Sequence, residues 1–155
     1  MIVVRIRPED THVLRRRVLR DGDPGADVEW AVDDLPTTTH LAVTDTDPDG
    51  GGGEGRDDRS TAGSVIAVST WIVTDEGLQL RGMATDPGHR GSGAGSLLVA
   101  AGIALARRDG HPRVWANARV TALGFYEHHG FAVEGDVFTT PDTGLPHRRV
   151  HLVVT

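Results

Sequence analysis

The chain has 155 residues and contains no cysteine, no lysine and a single tyrosine, and aromatic residues make up 5% of it. Without cysteine there are no disulfides, no thiol nucleophile and no cysteine-ligated zinc. Without lysine there is neither Schiff-base chemistry nor a P-loop, whose Gly-Lys-Ser/Thr end is obligatory. No apolar run approaches 18 residues, so no membrane span and no membrane partner are expected. Positive charge is also short: 16 basic residues, all arginine, stand against 22 acidic ones, for a net charge of −6. Such a chain is a poor non-specific ligand for nucleic acid, which is therefore not expected as a partner. Its overall field mildly favours cationic substrates. The opening Met1-Ile-Val-Val-Arg-Ile-Arg alternates like a strand and lacks the architecture of a secretory signal, so a cytoplasmic location is expected.

Hydrophobic residues form 38% of the chain, enough for one domain with a sizeable core. Met1 to Arg7 reads as a half-buried strand closed by Pro8. Glu9 to Arg20 reads as a helix with Val13, Leu14, Val18 and Leu19 as its apolar stripe. Residues 27–35 are ambiguous, with a second short helix one option. His40 to Thr44 reads as a strand, and 45–63, rich in glycine and aspartate, as a flexible loop joining a hairpin. Ser64 to Val73 and Leu78 to Ala84 read as antiparallel strands across a turn at 74–77. A helix over 94–108, a strand over 113–117, a helix over 119–129 and strands near 131–138 and 148–154 complete the order.

The most informative stretch is 84–96, Ala-Thr-Asp-Pro-Gly-His-Arg-Gly-Ser-Gly-Ala-Gly-Ser, which joins an apolar strand to an apolar helix. Glycines let backbone N–H groups approach a ligand, and the first turn of the helix adds its unpaired donors and the positive end of its dipole. Together they form a candidate anion cradle, to which Arg90 can add a guanidinium fork. A Rossmann fingerprint would need glycine at 96, where Ser96 stands. A second block, Phe125-Tyr126-Glu127-His128-His129-Gly130-Phe131, follows about 35 residues later. There Ala122, Phe125, Tyr126 and His129 share a helical face, and Gly130 reads as a left-handed C-cap.

Arg90-x-x-Gly93-x-Gly95 followed by Phe125-Tyr126-Glu127-x-x-Gly130-Phe131 resembles the two landmarks of the GNAT (Gcn5-related N-acetyltransferase) superfamily. The element order agrees with that fold along nearly the whole chain. The resemblance implies an α+β, three-layer architecture, a mixed central sheet with splayed parallel strands flanked by helices. It also implies acetyl-CoA as cosubstrate, no metal, and transfer to an amine, with a small-molecule acceptor expected and a homodimer left open. Met83, Ala84 and Thr85 would meet the pantetheine arm. Arg90 and the backbone of Gly91, Ser92, Gly93, Ala94, Gly95 and Ser96 would hold the pyrophosphate.

Asn117 reads equally as a partner of the pantetheine arm and as a turn or capping residue. Tyr126 aligns with the family's tyrosine, and the implied role is general acid to the departing thiolate. Arg81 stands where many relatives place a glutamate base, and a guanidinium cannot accept a proton at neutral pH. An ordered water, Glu76, His128, His129 or His147 is left as the candidate base. Arg119 could bind an anion, but the favoured reading places it in a first helical turn facing solvent. The segment Thr139 to Pro146 would cover the acceptor site, with His147 at its edge. His147 and His151, about 13 Å apart along a strand, suggest no metal. A catalytically impaired acyl-CoA-binding sensor is the alternative function, and the absence of a Gly-x-Ser-x-Gly elbow speaks against a serine hydrolase.

Overall fold

In the computed structural model, residues 1–45, 64–141 and 143–155 are described, so most of the expected 45–63 loop lies outside the described residues. Seven strands form one sheet: β1 (Ile2–Ile6), β2 (Thr39–Thr44), β3 (Val65–Thr74), β4 (Gly77–Thr85), β5 (Arg113–Arg119), β6 (Ala132–Thr139) and β7 (Pro146–Val153). Their spatial order is β1-β2-β3-β4-β5-β7-β6, and only β4 and β5 run parallel. Alternating and β-branched patterns explain the strands, and the Thr74–Gly77 turn closes the β3–β4 hairpin as expected.

Three helical segments flank the sheet. The one preceding β2 is irregular: a 3₁₀ turn at Pro8–Thr11, a short α stretch α1 (His12–Leu14) and a π stretch at Arg15–Leu19. A uniform stripe is therefore lost. Leu14 is buried, whereas Val13 is 64% exposed, and Arg15 takes the inward position instead. The ambiguous stretch after it holds one 3₁₀ turn, Ala31–Asp34. Helix α2 (Ala94–Arg108) matches its expected bounds, with Arg107 and Arg108 in the last turn facing the negative end of the dipole. It lies tightly on β3 because Gly102 has no side chain: a Cβ there would stand 2.0 Å from the fully buried Trp71 ring. The expected helix over 119–129 is shorter, because β5 continues to Arg119. A 3₁₀ turn at Val120–Ala122 precedes α3 (Leu123–His128).

Period-two alternation sorts the core into two faces, apart from a bulge at Ile66 that lets it join the cluster of its neighbour Ala67. Val43, Ile66, Ala67, Ala94 and Leu98 pack together on the α2 face, where Trp71, Leu78, Leu80, Val114, Ala116, Ala118, Tyr126 and Val150 form a second cluster. Ala42, Val68 and Ala84 face the opposite way, toward Leu14. Ala84 would share the face of Leu78 and Leu80 if β4 were regular. A bulge at Gly82 and Met83, set against Ser69, inverts the alternation.

Candidate active site

The β4–β5 ladder has three pairs, Leu78–Val114, Gln79–Trp115 and Leu80–Ala116. Beyond them the two parallel strands separate. Two features at Gly82 account for the departure of β4: the bulge raises local twist, and the backbone there has φ +65°, a left-handed value that favours glycine. No side chain fits at that position either, since a Cβ would lie 2.5 Å from the Trp30 indole. The resulting cleft, about 320 Å³, opens through the sheet rather than onto one face.

Its lining divides accordingly. Met83, Ala122, Phe125 and Tyr126 approach from the α2 side. From the other side come Arg20, Trp30, Arg81, Asn117, Arg119 and His147, with Thr140 and Thr143 of the β6–β7 connection. The alternation places them there: Leu80, Ala118 and Val150 belong to the α2-side core, so Arg81, Asn117, Arg119 and His147 point away from it. The β6–β7 connection thus borders the cleft, with His147 beside it. Arg119 does not face solvent from a helix. It ends β5, is half-buried and borders the cleft, because the strand runs two residues further than the sequence pattern suggested.

Tyr126 is held by its helix end. Gly130, with φ +89°, lets its N–H reach the Glu127 carbonyl while the Phe131 N–H reaches that of Tyr126. This pair of bonds is a Schellman motif, and its hydrophobic contact is the Phe131 ring, edge-on to Tyr126 at 5.4 Å. The aromatic and glycine positions of the second block are therefore one local device that fixes the tyrosine ring. Burial pushes the Tyr126 phenol up to about 12, so the group keeps its proton throughout the neutral range.

The glycine-rich loop lies at the cleft's α2-side mouth. Gly93 caps α2 with φ +92°, and the first bond into the helix runs from the Leu97 N–H to the Gly93 carbonyl. The amides of Ala94, Gly95 and Ser96 consequently point out of the helix end. Arg90, Gly91, Ser92 and Gly93 are exposed, whereas the Ala94 side chain is buried in the core. A Cβ on Gly95 would lie 3.5 Å from Phe125 and 4.0 Å from Thr85 Oγ1, which joins the loop to the end of β4 and to the cleft wall. Ser96 Oγ and His129 Nε2, 2.9 Å apart, tie the same turn to the residue after α3. Burial, reinforced by the neighbouring His128, holds the His129 imidazole below its ordinary range. Of the residues expected to meet the coenzyme, Met83, Asn117 and Tyr126 border the cleft, whereas the Ala84 side chain turns into the opposite core.

Sequence patterns did not point to the support beneath Arg81. The Arg81 guanidinium lies 4.2 Å from the Trp30 ring centroid and that of Arg15 lies 3.7 Å from it. Arg15 is buried, ion-paired to Asp33 at 2.6 Å, and donates to the Val28 carbonyl and to Thr70 Oγ1. His40 Nε2 donates to the Asp33 carbonyl, which leaves Nδ1 to accept from the Thr70 hydroxyl at 2.8 Å. Burial opposes ionisation of Asp33, yet hydrogen bonds from Arg15 and the Trp30 N–H outweigh it and hold the carboxyl below its ordinary range. The Trp30 ring is thereby fixed as a floor for Arg81.

The possible bases also separate in space. Glu76 does not line the cleft, and its hydrogen bond from Arg149, at 2.6 Å, lowers its pKa. His128 is exposed, and neither it nor His129 lines the cleft. His147 does line it and is buried, with Nδ1–H donating to the Leu145 carbonyl at 2.7 Å. In the neutral ring, Nε2 is then the nitrogen that carries the lone pair.

The sequence profile of the Acetyltransferase (GNAT) family matches residues 24–131. The uncharacterized N-acetyltransferase YitI of Bacillus subtilis (strain 168) is 28% identical over 146 residues, which cover 90% of this chain and 87% of that protein. A solved aminoglycoside 6'-N-acetyltransferase complexed with coenzyme A aligns over 100% of this chain and 98% of its own, with TM-score 0.75 at 13% identity. The ribosomal-protein-S18-alanine N-acetyltransferase from Escherichia coli aligns over 99% and 94%, with TM-score 0.71 at 16% identity. The two structures share the fold, and the profile covers both the glycine-rich loop and α3. The chain belongs to the GNAT acetyltransferase family and is an acyltransferase.

Proposed function

We propose that the protein transfers an acetyl group from acetyl-CoA to an amine by direct attack, with Tyr126 serving the leaving sulfur and His147 the attacking nitrogen. The observation that carries this reading is the through-sheet cleft, with Tyr126 on the side of the α2 N-terminus and His147 on the other. The cradle fits the coenzyme: its outward amides suit a pyrophosphate, and the separated edges of β4 and β5 suit the amide groups of a pantetheine arm. Met83, Ala84 and Thr85 would present the β4 edge, Asn117 the β5 edge, and Arg90 with 91–96 the anion site. The cosubstrate supplies a thioester, an acyl carbon open to nucleophilic attack.

Each side chain then has a task set by its surroundings. His147 Nε2 accepts the proton that the nitrogen sheds as the C–N bond forms. Tyr126 donates a hydrogen bond to sulfur as the C–S bond breaks. A phenol near 12 is a far weaker acid than a thiol of about 8.5, so its contribution is stabilisation of developing charge rather than an early, complete proton transfer. Arg81, at the usual glutamate position, takes no proton. It also motivates a second reading, an acyl-CoA-binding sensor without turnover.

Calorimetry with acetyl-CoA, combined with thiol release across a panel of amines, tests both. Binding together with turnover that falls in Tyr126→Phe and His147→Gln, at unchanged coenzyme affinity, supports the enzyme. Binding without turnover of any amine supports the sensor, and absence of binding removes both.

A further inference from the structure

His147 faces a different neighbour from the one that regular strand pairing would bring. Near the start of β6 the ladder with β7 pairs Val133 with Val150 and Glu134 with Arg149. Continued without interruption, that register would set Asp136 across from His147. Two additional residues enter β6 before Phe138, and the observed pairs become Phe138–His147 and Thr139–Pro146. The extra length is taken up around Gly135, with φ +74°, whose carbonyl accepts from Nε and Nη2 of Arg148 at 3.0 and 2.7 Å. Because the insertion is even-numbered, Glu134 and Phe138 keep to one face of the sheet. Glu134 meets Arg149 there, and Phe138 meets His147.

The shift exchanges a carboxylate for a ring. Phe138 and the His147 imidazole are stacked, with centroids 6.1 Å apart and planes inclined by 26°, while Asp136 is exposed. Phe138 does not itself line the cleft, so any effect it has on the chemistry passes through His147. The imidazole is held in two independent ways. In its plane, the Nδ1–H bond to the Leu145 carbonyl fixes where Nδ1 points, and the Leu145 N–H is in turn anchored on Thr143 Oγ1 at 3.3 Å. That bond resists tilting of the ring only weakly, since the outer torsion of histidine is broad, and the Phe138 ring blocks the tilt. An aspartate opposite would act otherwise. It would compete with Leu145 for the N–H and favour the imidazolium, which has no lone pair to offer. Of the other charged groups around the ring, Arg119 is its ladder partner on β5, and Arg20 and Arg81 border the same cleft.

We infer that Phe138 is a positioning residue for the proton acceptor: the β6 bulge delivers its ring against His147 and holds the imidazole with Nε2 presented to the attacking nitrogen. This rests on the acetyl-transfer reading above, in which His147 is the base, and adds to that site a residue that no motif marks.

Phe138→Ala, Phe138→Tyr and Phe138→Asp test the inference, with thermal melts and acetyl-CoA calorimetry as controls. The side chain is 38% exposed on an edge strand, so all three variants should fold. Phe138→Ala should lower kcat by about tenfold, a part of the ~10²–10⁴ that a positioned base supplies, with KM and acetyl-CoA affinity retained. Phe138→Tyr keeps a ring and should recover most of the loss. Phe138→Asp should move the acid-side fall of kcat upward by about one pH unit, because a carboxylate opposite favours the protonated imidazole. Nitrogen NMR of His147, assigned by the signals lost in His147→Gln, reads the tautomer without turnover. The wild type should show the Nδ1–H form and Phe138→Ala a mixture of the two. An unchanged tautomer in Phe138→Ala overturns the inference, and so does a loss of kcat that Phe138→Tyr fails to recover. The underlying reading fails separately: full activity in His147→Gln removes the base, whereas the tautomer still decides whether Phe138 orients the ring.

Discussion

Trp30 fills the space that a side chain on residue 82 would need: a Cβ built on Gly82 stands 2.5 Å from its indole. The residue that bends β4 away from β5 and the residue that supports Arg81 are therefore mutually dependent.

Replacing Gly82 by alanine combines this clash with a left-handed backbone, φ +65°, and should destabilise the fold by about 1–3 kcal/mol. In the double variant Gly82→Ala/Trp30→Ala the steric part should vanish and the backbone part persist. Thermal melts of the two single variants and the double variant check this, and strict additivity would refute the coupling.

Asp33 gives stability a defined acid limit. Its carboxyl lies below the ordinary aspartate value of about 3.9, so the unfolded chain binds the proton first as pH falls. The stability contributed by the pair with Arg15 is present above that value and is lost progressively as pH drops through the lower folded one. Asp33→Asn should flatten this acid slope in denaturant titrations. It should also lower stability at pH 7 by about 3–5 kcal/mol, because Arg15 is left buried without its counter-charge.

Gly95→Ala should separate folding from binding. The added methyl meets Phe125 at 3.5 Å, an ordinary contact, and alanine suits a helix better by up to about 1 kcal/mol. The melting temperature should hold or rise, while acetyl-CoA affinity, measured by calorimetry, falls because the methyl obstructs approach to the amides. Unchanged affinity would mean that the helix end is not the cradle.

The phenol of Tyr126 makes a prediction at alkaline pH. With a folded value of about 12 against about 10 unfolded, stability is full below pH 10 and declines as pH rises from there through 12. Tyr126→Phe removes that decline. In turnover assays the wild type should show no loss attributable to phenol ionisation up to pH 10, whereas Tyr126→Phe should lower kcat by about 10²-fold across the range.

What the sequence disclosed follows from how local each signal is. The glycine-rich loop and Phe125–Phe131 are contiguous, and their conformations are imposed by nearest neighbours: a positive φ at Gly93, a helix-end motif at Gly130. The order of elements along the chain was legible because the strands are short apolar or β-branched runs bounded by turn residues. Arg119 was misplaced because β5 passes into α3 through a 3₁₀ turn with no capping residue to mark the boundary. The Arg15–Asp33–Trp30 support was invisible for a different reason. Its members lie in irregular segments and meet only in three dimensions, and a buried arginine looks like any other in a run of three. The bulge at Gly82 likewise requires knowledge of Ser69 across the hairpin.

Among the described residues, three pairs, Leu78–Val114, Gln79–Trp115 and Leu80–Ala116, are all the strand pairing in the seam between a block of β1 to β4 and a block of β5, β7 and β6. Mechanically the seam behaves like the tip of a crack, where any force separating the blocks is concentrated. An extended molecule bonded to both open edges would act as a keystone, joining the halves along the length that the protein itself leaves unjoined. Occupancy should then be legible far from any chemistry, as slowed amide exchange across β4 and β5 and as a single, sharper unfolding transition.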